Sequence, residues 1–217
     1  MSKPPYYRPA FDIFAPLYDL GVWIIGLPLG GERKLRRLIL EAITGADLKS
    51  LTGCRILELC CGTATLSIMA AGYDTEVYGL DLSRGMLRVA REKSQRENIS
   101  LRLVQADAVS IPFKKMTFNS VVSSMGLHEM PLDAIRNIFK ETKRVLKNDG
   151  RFIIFDYHKG KGFSGLLQNI FFIFAEHDEA KEFIRADLQK ELREAGFKRF
   201  QRKFLAGGTL QIVTVNT

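Results

Sequence analysis

Cys54-Arg55-Ile56-Leu57-Glu58-Leu59-Cys60-Cys61-Gly62-Thr63-Ala64-Thr65 is the stretch that decides the fold. Its first half is a short apolar run that reads as a buried strand, and Thr63 to Ala71 reads as the helix that follows. Between them stand only small side chains, which let a ligand approach the backbone closely. A strand, a small-residue loop and a helix in that order form the opening unit of a parallel α/β sheet.

The same alternation continues outward. Glu76-Val77-Tyr78-Gly79-Leu80 is a second strand, and Ser83 is placed to cap a helix running to about Glu97. Leu101 to Gln105 is a third strand and Ser120 to Ser124 a fourth. Asp133 to Leu146 forms a long helix that Lys147-Asn148-Asp149-Gly150 terminates, and Arg151 to Phe155 is the fifth strand. One helix is expected from about Glu179 to Ala195, then two closing strands, Phe197 to Leu205 and Leu210 to Val215. Five strands separated by helices demand right-handed crossovers, hence a doubly wound parallel sheet covered on both faces. The last two strands are joined only by Ala206-Gly207-Gly208-Thr209, too short for a crossover, so they form an antiparallel hairpin at one edge.

Residues 1–50 differ. Phe11 to Leu29 is apolar and aromatic, and Gly31 to Thr44 is an amphipathic helix carrying Arg33, Lys34, Arg36 and Arg37. Both read as a helical cap over the carboxyl ends of the strands, leaving residues 51–217 as the α/β domain.

Composition narrows the class. With 217 residues, 46% hydrophobic and 26% charged, the chain can bury a core without disulfides or metals, and disordered or cysteine-stapled classes are excluded. The longest apolar stretches, Gly162 to Ala175 and Gly21 to Gly30, fall short of the roughly 20 residues needed to span a bilayer. The first residues lack the apolar core of a secretion signal, so a cytoplasmic protein is expected, with any membrane contact peripheral to the inner face. Cys60 and Cys61 are neighbours whose spacing fits neither a disulfide framework nor a zinc knuckle, and no metal is expected.

Two carboxylates carry the chemistry. Asp81 closes the second strand about twenty residues after the loop, where such folds place an acid that accepts both hydroxyls of a ribose. Asp107 follows the third strand, and an acid there can accept a hydrogen bond from the exocyclic amine of adenine. With Glu58, three acids converge at one sheet edge and imply an adenosine-type ligand. A nicotinamide enzyme explains the first features but neither Asp107 nor the closing hairpin.

On these residues the chain resembles the class I S-adenosylmethionine-dependent methyltransferases, in the ubiquinone/menaquinone C-methyltransferase-related group, from about Tyr18 to Val215. The resemblance implies a seven-stranded sheet of order 3-2-1-4-5-7-6 with the last strand antiparallel, and S-adenosylmethionine as cofactor with S-adenosylhomocysteine as product. It implies cofactor contacts at Tyr18, Glu58, Cys60, Cys61, Gly62, Thr63, Asp81, Leu82, Met86, Asp107, Ala108 and Ser124. Cys60 and Ala64 stand where the commoner pattern has glycines.

Methyl transfer is an in-line displacement that needs alignment and exclusion of water, and a base only if the acceptor begins protonated. His128, after the fourth strand, is the candidate catalytic base, or else packs at the start of the following helix. His158 is a weaker candidate and His177 reads as a helix-start residue. His128-Glu129 does not begin a zinc-protease helix, since Pro131 intervenes, and no cysteine follows Cys61 to serve cytosine methylation.

The basic clusters, Arg33 to Arg37, Arg84 to Lys93 and Lys198 to Lys203, are solvated faces or attract an anionic lipid surface or acidic substrate; no motif supports nucleic acid. Phe163 to Phe174 is either a core helix or the lining of an apolar acceptor pocket. The resulting expectation is a methyltransferase acting on a small, quinol-like or lipid-like acceptor. The alternatives are a non-catalytic adenosyl-binding regulator and a methylase of RNA or protein.

Overall fold

A computed structural model describes residues 4–26, 30–45, 47–160, 165 and 178–217, without side-chain detail at 21–26. The apolar stretch at 163–174 and His177 lie outside the described residues, apart from Gly165. Helices α1 (Ala10–Gly26) and α2 (Glu32–Thr44) lead into β1 (Arg55–Leu59), α3 (Thr65–Ala71), β2 (Glu76–Asp81), α4 (Arg84–Arg96) and β3 (Arg102–Gln105). Then follow β4 (Phe118–Ser124), α5 (Leu132–Val145), β5 (Leu146–Tyr157), α6 (Asp178–Arg185), α7 (Leu188–Glu194), β6 (Lys198–Leu205) and β7 (Leu210–Asn216).

The sheet has the order β3-β2-β1-β4-β5-β7-β6. β1 to β5 pair in parallel, while β7 runs antiparallel to both β5 and β6. The central strands are near-continuous apolar runs because both faces are covered. One face packs Ile135, Ile138 and Phe139 of α5 with Phe183 of α6 and Leu192 of α7 against Leu57, Val121 and Phe152. The other packs Ile39, Leu40 and Ile43 of α2 with Leu66 and Ala70 of α3 against Ile56, Val122 and Ile153. α2 is therefore built into a helical layer, whereas α1 lies along α4.

Two local readings change. The expected single helix from Glu179 is two, because Asp187 accepts from the Lys190 amide at 3.1 Å and starts α7 afresh. The turn at 147–150, with Asp149 at φ 58, lies within β5 as a bulge: Leu146 already pairs with Phe118 before the register shifts to Arg151–Ser120. β6 is the sheet's edge, and its exposed Lys198, Arg199 and Lys203 discourage pairing with another chain.

Gly85 is where α1 meets α4. A Cβ there would lie 2.4 Å from the Asp12 carbonyl oxygen, so only glycine permits the approach. Gly85→Ala is expected to lever α1 off α4 and cost about 1–3 kcal/mol, as overpacking does. Faster amide exchange over residues 10–20 with a lower Tm would bear this out; unchanged exchange would show that α1 is held elsewhere.

Candidate active site

The cofactor-type cleft is assembled at the carboxyl ends of β1, β2, β3 and β4. The loop after β1 turns through three left-handed residues, Cys60 (φ 53), Gly62 (φ 53) and Ala64 (φ 60). These are the positions where small residues or glycines were called for, and two of them carry side chains that oppose this conformation by about 1–2 kcal/mol each. The Cys61 amide donates to the Leu80 carbonyl at 3.0 Å and the Gly62 amide to Asp81 Oδ2 at 2.8 Å, which fixes the loop across β2. Gly126, after β4, must be glycine because a Cβ would fall 2.5 Å from the Cys60 Cβ.

A cavity of about 110 Å³ opens here. Of the sequence-predicted contacts, Tyr18, Cys60, Gly62, Asp81, Leu82, Met86, Asp107 and Ala108 line it together. Asp81 receives the Ser83 and Gly62 amides, each at 2.8 Å; burial raises its pKa and these bonds oppose the rise. Asp107 Oδ1 receives the Val109 amide at 3.1 Å. Two carboxylates with spare lone pairs, an apolar Met86 between strand ends and a small-residue loop fit a ribose and an adenine amine.

Glu58, Cys61, Thr63, Ser124 and His128 do not line the cavity. Glu58 is buried and accepts from the Ser67 amide (3.0 Å) and hydroxyl (2.5 Å), securing the start of α3; burial pushes its pKa up to about 7 against the pull of Arg36 and Ser67. Cys61 is buried against Leu87 and Ala90 of α4. Thr63 donates to Asp19, and Ser124 Oγ accepts from Arg36 at 2.6 Å.

His128 sits in a 3-10 turn, Leu127–Glu129, ahead of α5 and is 4% exposed. Its Nδ1 meets Asp156 Oδ1 at 2.6 Å, and its Nε2 lies 3.5 Å from Glu129 Oε1. Burial opposes its charge, but the buried Asp156 and then Glu129 outweigh this and raise its pKa to about 10. An imidazole held charged at neutral pH does not take a proton from an acceptor. His128 is thus buried ahead of α5 and is not among the residues that line the cavity. His158 Nδ1 is 2.9 Å from the Gly208 carbonyl, on the closing hairpin.

The wall also holds residues with no local sequence signal. Tyr6, Tyr7, Arg8 and Phe11 come from the N-terminal segment, and Met125, Glu129 and Met130 from the chain after β4. The Tyr6 hydroxyl donates to Asp107 Oδ2 at 2.7 Å, and Arg8 Nε pairs with Glu129 Oε2 at 2.7 Å. Asp12 Oδ1 receives the Ser83 hydroxyl (2.7 Å) and Gly85 amide (2.8 Å), anchoring this segment at the start of α4.

A methyltransferase-domain family model matches residues 56–150. An uncharacterized methyltransferase of Synechocystis sp. is 32% identical over 199 residues, covering 91% of this chain and 89% of the relative. The chain belongs to the class I S-adenosylmethionine-dependent methyltransferases. It falls in the quinone C-methyltransferase-related group: the demethylmenaquinone methyltransferase of Anoxybacillus flavithermus is 34% identical, covering 70% of this chain and 73% of the relative. The 2-phytyl-1,4-naphtoquinone methyltransferase of Trichormus variabilis is 32% identical, covering 70% and 65%. Among solved structures, the cyclase SpnF superposes with a TM-score of 0.71 at 16% identity over 96% of this chain and 94% of that one. A putative methyltransferase of Methanococcus maripaludis gives 0.64 at 19% identity over 98% and 94%. These likenesses carry the fold.

The raised pKa of His128 has a pH signature. Its contribution to stability is full below the unfolded value near 6.5 and is lost as pH rises toward about 10. The stability difference between wild type and His128→Gln, from denaturant unfolding, should therefore shrink between pH 6 and pH 9. A difference that grows with pH would show that the folded protein holds this imidazole neutral.

Proposed function

We propose that this methyltransferase acts on an apolar hydroxylated ring of the quinol class. The observation that carries the reading is one cavity lined both by the acids Asp81 and Asp107 and by the apolar or aromatic Phe11, Tyr18, Met125 and Met130. The first set suits a nucleoside, the second an apolar acceptor. The naphthoquinone acceptors in the names of the two relatives belong to the same chemical class.

When bound, S-adenosylmethionine supplies a methyl group on a positively charged sulfur. In this reading Asp81 accepts from the ribose hydroxyls and Asp107 from the adenine amine, while the Cys60–Gly62 backbone borders the methionyl part. Met125 and Met130 keep water from the reacting atoms, and alignment in a dry site is the main catalytic requirement. His128 acts as a positioning residue that keeps Glu129 at the wall. Tyr6 to Arg8 and α1 contribute to the cavity wall, while α2 packs on the sheet.

At about 110 Å³ the cavity is smaller than the roughly 300 Å³ at which sites for small organic ligands begin, and Tyr6 occupies an oxygen of Asp107. Admission of the cofactor thus requires the 4–9 segment to withdraw. Tyr6→Phe should tighten S-adenosylhomocysteine binding several-fold by removing a contact made only in the closed state. A weaker affinity would mean that the phenol contacts the ligand.

Asp81→Ala should weaken S-adenosylhomocysteine binding by about 1.5–3 kcal/mol in calorimetry, the worth of hydrogen bonds to a charged group. A prenylated 1,4-naphthoquinol, kept reduced, should be methylated in preference to a polar catechol. Unchanged affinity in the variant would remove the cofactor geometry, and turnover of the catechol alone would remove the apolar acceptor.

A further inference from the structure

α1 is amphipathic in the inverted sense. Between Ala10 and Leu20 its two acidic side chains turn inward onto α4 and the β1–α3 loop: Asp12 to Ser83 and Gly85, Asp19 to Lys93 at 2.7 Å and to Thr63. Every exposed position over the same stretch is apolar: Ala10, Ile13, Phe14, Pro16, Leu17 and Leu20. Ile13 is 71% exposed, Phe14 60%, Leu17 61% and Leu20 55%. Their spacing, i, i+1, i+4 and i+7, places them on one helical face. A helix facing water carries the opposite pattern, so this face is shaped for an apolar medium.

The neighbouring helix says which medium. Asp12 meets Gly85 and Asp19 meets Lys93, so α1 and α4 run side by side in the same direction for two turns. α4 turns Arg84, Arg88 and Arg91 outward, also one face at i, i+4 and i+7, and the chain carries a net charge of +8. Glu92 and Glu97 are exposed there as well, Glu92 paired with Arg96, and an apolar helix face beside a helix with three further exposed arginines matches the boundary between acyl chains and anionic headgroups. A second copy of the chain is the poorer occupant, since it carries the same net charge of +8 and exposes the same arginines.

We propose that α1 and α4 form the face by which this protein docks onto an anionic lipid bilayer, α1 seating its apolar stripe below the headgroups and the α4 arginines meeting lipid phosphates. The inference deepens the quinol reading and rests on it for its purpose. On its inner side α1 presents Phe11 and Tyr18 to the cavity, so the lipid lies one helix diameter, about 10 Å, from the proposed acceptor site.

The test is co-sedimentation of the full chain with vesicles of phosphatidylglycerol and phosphatidylcholine, without cofactor or acceptor, at low and high salt. Binding is expected to the mixed vesicles at low salt, to fall at least tenfold in 0.5 M salt, and to be weak on phosphatidylcholine alone. The double variant Ile13→Gln, Leu17→Gln should lose binding at least tenfold. The triple variant Arg84→Glu, Arg88→Glu, Arg91→Glu should lose more than a hundredfold, at about fivefold per arginine neutralised and further loss from the reversed charge. Unchanged circular dichroism and S-adenosylhomocysteine affinity in both variants would show that they fold. No sedimentation with either vesicle, or sedimentation untouched by both variants, overturns the proposal. A dimer in analytical ultracentrifugation that the Ile13, Leu17 double variant dissolves, without vesicle binding, assigns the stripe to a second copy instead. Turnover of the prenylated naphthoquinol in detergent, measured separately, keeps failure of docking apart from failure of the acceptor assignment.

Discussion

A hydrogen bond from the Gly62 amide to the Asp81 carboxylate at 2.8 Å, beside that from the Cys61 amide to the Leu80 carbonyl at 3.0 Å, ties the loop after β1 to the end of β2 and sets the geometry around which the site is arranged. Making it obliges the chain to leave β1 through left-handed residues, and Cys60 and Ala64 adopt that conformation although each has a Cβ. Strain of this kind survives only where neighbours leave no alternative. Here Gly126 gives up its side chain to make room for Cys60, and Ala64 is fully buried. With the loop so fixed, the acids ending β2 and following β3 face one cavity.

What could be read from the sequence is what strands and loops encode locally. The strands, the closing hairpin and the placing of Asp81 and Asp107 depend on apolar runs and on which residue follows each run, while the order of the strands rests on the family resemblance; the structure has the strands, the hairpin and that order, and puts both acids on one cavity. Which side chain of a tight turn faces a cavity depends instead on the sign of φ at its neighbours. Cys60 and Gly62 reach the wall while Cys61 and Thr63, one residue away from them, turn to α4 and to Asp19. Tyr6 and Asp107 meet across 101 positions of sequence, a pairing that no periodicity announces. The break between α6 and α7 was available in Asp187, a good cap inside an apparently continuous helical pattern.

The buried polar residues beside the cleft form one connected set. Asp156, fully buried, accepts from the Leu127 amide (3.0 Å) and the Tyr157 amide (2.8 Å) as well as facing His128. With these donors and the facing imidazole, the buried polar atoms of Asp156 are matched rather than stranded. Glu129 extends the set to the cavity, and Arg8 closes it from the N-terminal side. Replacing one member leaves another charge buried without its counterpart, so the set specifies the conformation of the turn after β4 more than it adds to stability.

The segment holding Tyr6 and Arg8 forms part of the cavity wall and contacts two of its acids, which bears on kinetics in the proposed reading. Cofactor and spent product differ by one methyl group at the sulfur, so in the proposed reading each meets the same contacts, Tyr6 on Asp107 and Arg8 on Glu129. Whatever free energy holds those contacts lengthens the residence of the product as well as sheltering the reaction. In that reading turnover would be paced by the loosening of a few residues before α1, remote in sequence from the strands whose ends line the cavity.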